Sequence, residues 1–438
     1  MSRALKFLSS LRLTVVLLGL GILLIFLGTL AQVHEGTWNT QKIYFQSWVI
    51  TKPLLYHRRW PVILPGGYLI GTVLLVNLIL AHFRGANWGQ RNVGQVLAHH
   101  VPLLALVFVA TWVAVRSPFV GMGFFIALLA LDMWISRAGP LKDTYTGKKL
   151  GINFTHVGVV MLLLGQLATD QLAVETNIRF REGETRSWSE KHRETELVFL
   201  QDVNTAQEKV VSIPESLLAR KGELRDEKLP FVVRVKEYAP NSKLRERAPV
   251  MDKSPPPATQ GDGTKLTVEP QPEVYDDKRR NLPYAVIELL HGGNSLGTWL
   301  VSILLEAQEV KVGNDTWRIA LRSERTYRDF SLTLLDFTHD VYPGTTKPRD
   351  FRSRVRLEDP KTRENREVDI FMNNPLRYGG ETFYQSSFDE FDPRVTILQV
   401  VRNPSWLTPY FGCGAVGYGL TRHFLFYLIG FILKRRSA

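Results

Sequence analysis

Residues 13–30 read LTVVLLGLGILLIFLGTL, an apolar run without a charged side chain. At about 1.5 Å of rise per residue, a helix of this length nearly crosses the roughly 30 Å hydrocarbon core of a bilayer. A cleavable signal peptide has a shorter apolar core than this run. The stretch therefore predicts a retained membrane helix and sets the class of the whole chain.

The apolar pattern continues outward from this first helix and divides the 438 residues into three parts. Residues 1–172 form a membrane domain, residues 173–407 a polar domain, and residues 408–438 a closing span with a basic tail. We predict a polytopic α-helical membrane protein with about six spans and a large β-rich extracytoplasmic domain. The predicted spans are residues 13–30, 67–83, 97–115, 118–135, 152–172 and 409–433.

The distribution of Lys and Arg orients these spans. Basic residues precede the first span, lie between spans two and three and between spans four and five, and end the chain at Lys434, Arg435 and Arg436. Because cytoplasmic loops are enriched in Lys and Arg, both termini are predicted in the cytoplasm and the large domain outside. Lys52, Arg58 and Arg59 in the first outer loop run against this rule.

Composition and motifs argue against several other classes of protein. The formal charge is +12, but acidic residues accompany the basic ones and there is no nucleic-acid-binding motif. Cys413 is the single cysteine, so the chain has neither a Cys-x-x-Cys redox pair nor a Cys-x-x-Cys-His haem attachment site. No catalytic order of residues or metal-ligand spacing is evident either, and we do not expect an enzyme.

Short β-branched segments in the polar domain predict strands. They are residues 229–238, 330–337 and 395–401, and residues 286–301 read as two strands around a Gly-rich turn. Asn374-Pro375 and Gly379-Gly380 predict turns around a further strand. Residues 31–66, rich in Trp and Tyr, suit a loop at the membrane interface.

Ionisable residues inside the predicted spans are the candidate functional residues, since such residues are rare and costly in lipid. Arg422 and His423 lie near the middle of the last span, and Asp132 lies near the inner end of the fourth. Asp132 could pair with Arg422, or its side chain could extend to the interface. Arg422 and His423 could likewise only fix helix packing.

Several motifs together resemble the ResB family, also called CcsB, of System II cytochrome c maturation. They are SLRLTVVLLGLGILLIFLGTLAQ at 10–32, GGYLIGTVLLVNLILAHF at 66–83, INFTHVGVVMLLLGQL at 152–167, FREGET at 180–185, YPGTTKPRDFRSRV at 342–355, VDIFMNNPLRYGGETFYQSSF at 368–388 and RNPSWLTPYFGCGAVGYGLTRHFLF at 402–426. The long Asn-x-Pro-Leu-Arg-Tyr-x-Gly-x-Thr-Phe-Tyr-Gln pattern is the most specific of them. The chain departs from the family's four-span plan by an extra hairpin at about 97–135.

The resemblance implies that the protein handles haem b, which it binds transiently. Family members are thought to convey haem across the membrane with a ResC/CcsA-type partner, for attachment to apocytochrome c. A thioredoxin-like reductant is a further expected partner. The family's axial histidine aligns with His156, and we add His423 as a second candidate iron ligand and Arg422 as a candidate for a propionate.

The position of each histidine along its span gives a testable depth. His156 is predicted roughly 6 Å and His423 roughly 15 Å from the inner ends of their spans, so that one haem could reach both if the helices are neighbours. His82, His99 and His100 cluster at the inner mouth of spans two and three. Two alternatives stay open: a scaffold that binds no haem, and a transporter or sensor with an extracytoplasmic ligand domain.

Overall fold

The computed structural model describes residues 3–51, 63–85, 93–137, 145–204, 207–248, 252–275, 279–344, 348–389 and 391–436. The chain divides into two compact units. One joins Met1–Ala173 with Asn403–Ala438, and the other is Val174–Arg402. We call them the helical unit and the β unit.

The helical unit contains seven of the described helices and one small hairpin. The helices are α1 Arg3–Leu8, α2 Leu11–Thr40, α3 Gly67–Gly85, α4 Val93–Arg116, α5 Pro118–Arg137, α6 Tyr145–Leu172 and α8 Thr408–Arg436, and the hairpin pairs β1 Val49–Ile50 with β2 Leu64–Pro65. Ser10 caps α2 by accepting a hydrogen bond from the Leu13 amide at 3.2 Å. Gly36, at φ 73°, kinks the same helix.

Four described helices are long and apolar enough to cross a membrane, as judged by length and composition. They lie within Leu11–Phe45, Pro118–Ser136, Lys149–Leu172 and Thr408–Arg436. The described apolar parts of α3 and α4, Gly67–Ala81 and His100–Arg116, are shorter. The predicted membrane class is therefore confirmed, whereas a number of about six spans stays a prediction.

Two details of the helical unit differ from the sequence-based prediction. The helix of the first predicted span, α2, runs well past residue 30. Tyr44, in the segment predicted as an interfacial loop, is buried with Leu17, Leu24 and Ile50 rather than lying on an interface. Tyr56 and Trp60, assigned to the same interfacial loop, lie outside the described residues. The turn between α4 and α5 is as tight as predicted, because only Ser117 separates the two helices.

Helices α6 and α8 pack antiparallel along a seam of glycines. A Cβ on Gly158 would lie 2.6 Å from the Gly412 carbonyl oxygen, and one on Gly419 would lie 2.6 Å from the Gly151 carbonyl oxygen. A Cβ on Gly165 would lie 2.5 Å from the Thr408 side-chain methyl group. These glycines repeat every seven residues on each helix, which keeps them on one face and lets the two backbones touch.

The hairpin α4–α5 packs against this helix pair. Its buried residues Leu103, Val107, Ala110 and Leu128 form one apolar cluster with Leu150, Phe154 and Tyr418. The ring of Tyr418 lies between those of Phe125 and Phe154, at 5.6 and 5.3 Å. The hairpin that departs from the family's plan is therefore part of the packed bundle.

The β unit contains sixteen named strands and a short helix, α7 Glu215–Leu218, among the described residues. The strands are β3 Val174–Arg181, β4 Thr185–Asn204, β5 Gln207–Pro214, β6 Gly222–Leu224, β7 Val232–Ala239, β8 Ser242–Glu246, β9 Leu266–Pro270, β10 Tyr284–His291, β11 Asn294–Ser302, β12 Gln308–Val312, β13 Asp315–Val341, β14 Pro348–Asp359, β15 Glu364–Phe371, β16 Leu376–Tyr378, β17 Glu381–Phe388 and β18 Val395–Arg402. The predicted β-rich domain is confirmed.

The long strand β13 contributes residues to both hydrophobic cores of this unit. A ten-stranded antiparallel sheet has the order β15-β14-β13-β4-β3-β18-β17-β16, with β12 on β13 and β5 on β4. A four-stranded sheet, β11-β10-β7-β6, covers the Trp317 end of β13 and encloses the first core. The second core, around Leu334 and Phe383, is formed by residues of the large sheet. Ser353 of β14 donates a hydrogen bond to the Gln385 side chain of β17 at 2.7 Å.

The most specific sequence motif folds as a hairpin. Tyr378 pairs with Glu381, so Gly379 and Gly380 form a two-residue turn, with φ 58° and 77°. Both positive φ values suit a type I′ turn, which glycine adopts without strain. The predicted turn at Gly379-Gly380 after strand β16 is confirmed. The turn before β16 lies two residues earlier than predicted, at Met372 and Asn373, and is closed by a bridge between Phe371 and Asn374.

Candidate functional site

A buried ion pair joins the closing helix to the α4–α5 hairpin. Arg422 Nε lies 3.0 Å from Asp132 Oδ2, and Arg422 Nη2 donates to Ser136 Oγ at 2.8 Å. The exposed fraction of the side chain is 0% for Arg422 and 1% for Asp132. Asp132 therefore does not extend to the interface; of the two roles considered for it, pairing with Arg422 is the one observed.

The surroundings of Arg422 favour a structural lock over a propionate contact. Its guanidinium is enclosed between the α5 partners and the Phe426 ring, 4.9 Å from its central carbon. The third nitrogen, Nη1, is buried without a hydrogen-bond partner in the described part of the chain. A propionate could reach this guanidinium only by moving α5, so the propionate contact stays a prediction that this geometry does not favour.

His423 lies next to the lock, at the end of the glycine seam. A Cβ on Gly151 would lie 2.9 Å from the His423 Cβ, so the imidazole leaves α8 where α6 has no side chain. The ring packs on Tyr427 and Phe424, with centroids at 4.8 and 5.8 Å. Its Nδ1 is buried without a hydrogen-bond partner among the described residues, which leaves the imidazole free of competing bonds at that nitrogen.

His156 is partly buried on α6 and has an interaction of its own. Because α6 begins at Tyr145 rather than at 152, His156 lies deeper in its helix than predicted. His423 faces Gly151, which is five residues and about 7.5 Å nearer to the start of α6 than His156. Along the bundle, His423 therefore lies nearer than His156 to the end at which α6 begins and α8 ends, which is the reverse of the predicted order.

The two histidines do not face each other across the seam. The seam glycines Gly151 and Gly158 mark the face of α6 that contacts α8. At about 100° per residue, His156 points roughly 140° away from Gly151 around the helix axis. The backbones of α6 and α8 also touch, which leaves no space for a macrocycle between them. Each histidine is therefore a separate candidate ligand, each on a surface of the helix pair.

A third histidine contacts α6 from the other side. His100 Nε2 lies 3.1 Å from the Asn153 side-chain nitrogen, and its ring lies 6.2 Å from that of Phe154. The sequence placed His100 at the inner mouth with His82 and His99. The side chains of those two lie outside the described residues.

Two polar residues that sequence reasoning did not assign fasten α3 to its neighbours. Asn77, only 1% exposed, donates to the Leu8 and Ser10 carbonyl oxygens at 2.6 and 3.1 Å, and it accepts from Thr14. These hydrogen bonds supply partners for backbone carbonyl oxygens at the break between α1 and α2. Asp170 of α6 accepts hydrogen bonds from Tyr68 and Gln46. In the sequence, an amide or carboxylate side chain within an apolar run was the feature that could have identified these two residues.

His339 of the β unit lies among aromatic rings. Its imidazole stacks on Phe388 at 4.9 Å and on Phe337 and Phe351 at 6.1 and 6.4 Å. It closes one end of the second core. His291 is exposed and bonds the Pro230 carbonyl oxygen at 2.7 Å, which agrees with a surface role.

These observations define a class of protein. Apolar helices of membrane length in one unit and a large β-rich second unit make this a membrane protein with a substantial β domain. Residues 306–405, from before β12 to after β18, match the model of the ResB-like family. The resemblance to the ResB/CcsB family noted from the sequence is confirmed by this match.

A curated relative points the same way. A segment of 91 residues is 41% identical to Protein NrfI of Wolinella succinogenes. This segment makes up 21% of the present chain and 10% of NrfI. The likeness thus covers a small part of NrfI.

Proposed function

We propose that this protein serves cytochrome c maturation, as the haem-binding half of a membrane complex. Its role would be to convey haem across the membrane with a ResC/CcsA-type partner, for attachment to apocytochrome c. The match of residues 306–405 to the ResB-like family is the observation that carries the proposal. It supports an assembly factor rather than an enzyme. The family resemblance suggests the bacterial inner membrane, and the distribution of Lys and Arg suggests that both termini lie in the cytoplasm.

The residues of the helical unit fit haem in part. His156, which aligns with the family's axial histidine, and His423, whose Nδ1 has no partner in the described residues, are imidazoles on apolar helices of membrane length. Neutral imidazole is a common axial ligand of haem iron. Because the α6–α8 seam is closed, the macrocycle would lie against the outer surface of the helix pair, where a partner helix can cover it.

In this mechanism the chain holds its cargo and positions it. His156 ligates the iron, the glycine seam keeps α6 and α8 rigid, and the β unit presents a surface to the partner. Thioether formation then follows from holding haem and reduced thiols together, which is catalysis by proximity rather than by acid–base groups. A scaffold that binds no haem is the second candidate, favoured by the closed seam and the enclosed Arg422.

Maturation in cells separates these two functions. The chain and its ResC/CcsA-type partner are expressed in a host without its own maturation system, and covalently bound haem in a reporter cytochrome c is measured. His156→Ala is expected to lower the yield at least about tenfold, whereas the matched exposed variant His291→Ala leaves it unchanged. Full maturation by His156→Ala, at equal protein levels, would instead identify the chain as a scaffold.

A further inference from the structure

We propose that the α4–α5 hairpin sets the position of His423, with Asp132 and Ser136 acting as positioning residues through Arg422. The hairpin is the part of the chain that departs from the family's plan, and the resemblance assigns it no role. The link to haem rests on the proposed function. The structural half of the proposal, that the hairpin sets the register of α8 on α6, does not.

The ion pair is a buried polar connection that ties α8 to α5. Asp132 and Ser136 are four residues apart, hence on one face of α5, and they take two of the three guanidinium nitrogens of Arg422. Ser136 also donates to Asp132 Oδ1 at 3.3 Å, which orients the carboxylate. In an apolar bundle an arginine without its carboxylate is costly, so the pair holds α8 at one height.

The glycine seam alone does not define that height. Gly151, Gly158 and Gly165 repeat with the same spacing as Gly412 and Gly419. Sliding α8 by seven residues, about 10.5 Å, would bring Gly412 opposite Gly151 and again place glycine on glycine. Smooth small-residue interfaces pack closely but distinguish registers poorly, and a buried polar residue is a well-attested device for selecting one register.

The position of His423 follows from that of Arg422, because the two are adjacent on one helix. In the observed register the His423 Cβ lies over Gly151, where a side chain on α6 would collide with it. A slide of α8 that separated Arg422 from Asp132 would move the imidazole off this glycine. The hairpin thereby determines where the candidate ligand is presented.

Disulfide trapping measures the register without any haem. Gly412 and Leu162 touch across the seam, since a Cβ on Gly412 would lie 2.7 Å from the Leu162 Cγ. In the full-length chain, Cys413→Ser removes the native thiol, and Leu162→Cys with Gly412→Cys supplies a pair that can form a disulfide only near this register. The two positions flank the β unit, so proteolysis within that unit releases separate fragments unless the bond has formed.

The expected result is ready cross-linking in the parent and at least about fivefold less with Asp132→Asn, which keeps the shape of the side chain and removes its charge. The charge swap Asp132→Arg with Arg422→Asp recovers the yield. Phe119→Leu on the same helix, at a residue that is 92% exposed, serves as control.

Unchanged cross-linking with Asp132→Asn overturns the proposal. If that variant does not accumulate, Ser136→Ala decides, with about a twofold loss expected and no change as the contradicting result.

A haem titration tests the second part of the proposal, that the hairpin determines how His423 binds haem. Ferric haem is added to the purified full-length chain carrying His156→Ala, so that binding through His423 is isolated, and the Soret absorbance is followed. Asp132→Asn is expected to weaken binding at least about fivefold. Equal affinity despite reduced cross-linking would overturn the link to His423. Failure of the unsubstituted chain to bind any haem would count against the proposed function, while the cross-linking result would stand.

Discussion

Gly158→Leu is expected to reduce the amount of folded protein at least about tenfold. A Cβ at this position would lie 2.6 Å from the Gly412 carbonyl oxygen and 2.8 Å from the Val416 amide nitrogen. These are backbone atoms, which cannot rotate away as a side chain does, so α6 and α8 must separate. Overpacking a well-packed contact typically costs about 1–3 kcal/mol, and a contact between backbones lies at or above the upper end of that range.

Whether Gly158→Leu lowers or raises stability distinguishes the effect of packing from that of helix propensity. Leucine forms helices better than glycine by a few tenths of a kcal/mol or more, so propensity alone predicts stabilisation. Gly417→Leu is the matched control, because a Cβ on that α8 residue meets no atom within 4 Å. We expect normal accumulation and a normal melting temperature for the control. If Gly158→Leu behaved like the control in detergent-solubilised membranes, the described α6–α8 seam would be wrong.

Arg328→Leu is expected to destabilise the β unit by about 3–5 kcal/mol, the usual cost of removing one partner of a buried ion pair. The exposed fraction of the side chain is 5% for Arg328 and 10% for Glu381, its partner. Arg328 Nη2 also donates to Ser189 Oγ at 2.7 Å. For a domain of this size, a loss near 3 kcal/mol lowers the melting midpoint by roughly 6–12 °C. Thermal loss of the β circular dichroism signal in the full-length chain measures it.

Two further variants give this prediction its control. Lys361→Leu removes an ion pair to Asp329, the neighbour of Arg328, in which the side chains are 70% and 72% exposed. Exposed pairs contribute little, so we expect a change below about 1 kcal/mol. The double variant Arg328→Leu with Glu381→Leu removes both charges and should recover most of the loss. A midpoint for Arg328→Leu equal to that of Lys361→Leu would show that burial does not matter here.

Local sequence pattern predicted those parts of the fold that depend on nearby residues. Apolar runs located the helices, β-branched runs located strands such as β18, and paired glycines located the turns at Gly292-Gly293 and Gly379-Gly380. Each of these features is decided by hydrophobic period or by backbone freedom within a few positions. Strand order was not predictable in this way, because β3 pairs with β18, more than two hundred residues later.

The candidate site was predictable in its residues but not in its geometry. Arg422 and His423 stood out because ionisable side chains are rare in apolar spans. The partner of Arg422 lies 290 positions away, and nothing local distinguished Asp132 from an interfacial acid. The relative depth of His156 and His423 depends on how α6 and α8 align. The seven-residue spacing of Gly151, Gly158 and Gly165 was a signal present in the sequence, and it indicates this seam.

We propose above that this chain binds haem through His156. The absorption spectrum of the full-length protein, purified from membranes with its ResC/CcsA-type partner, tests this as parent and as His156→Gly. We expect a Soret band in the parent, at least about tenfold less haem per protein in His156→Gly, and recovery when imidazole is added. An unchanged amount of haem with an unchanged spectrum in His156→Gly would contradict it.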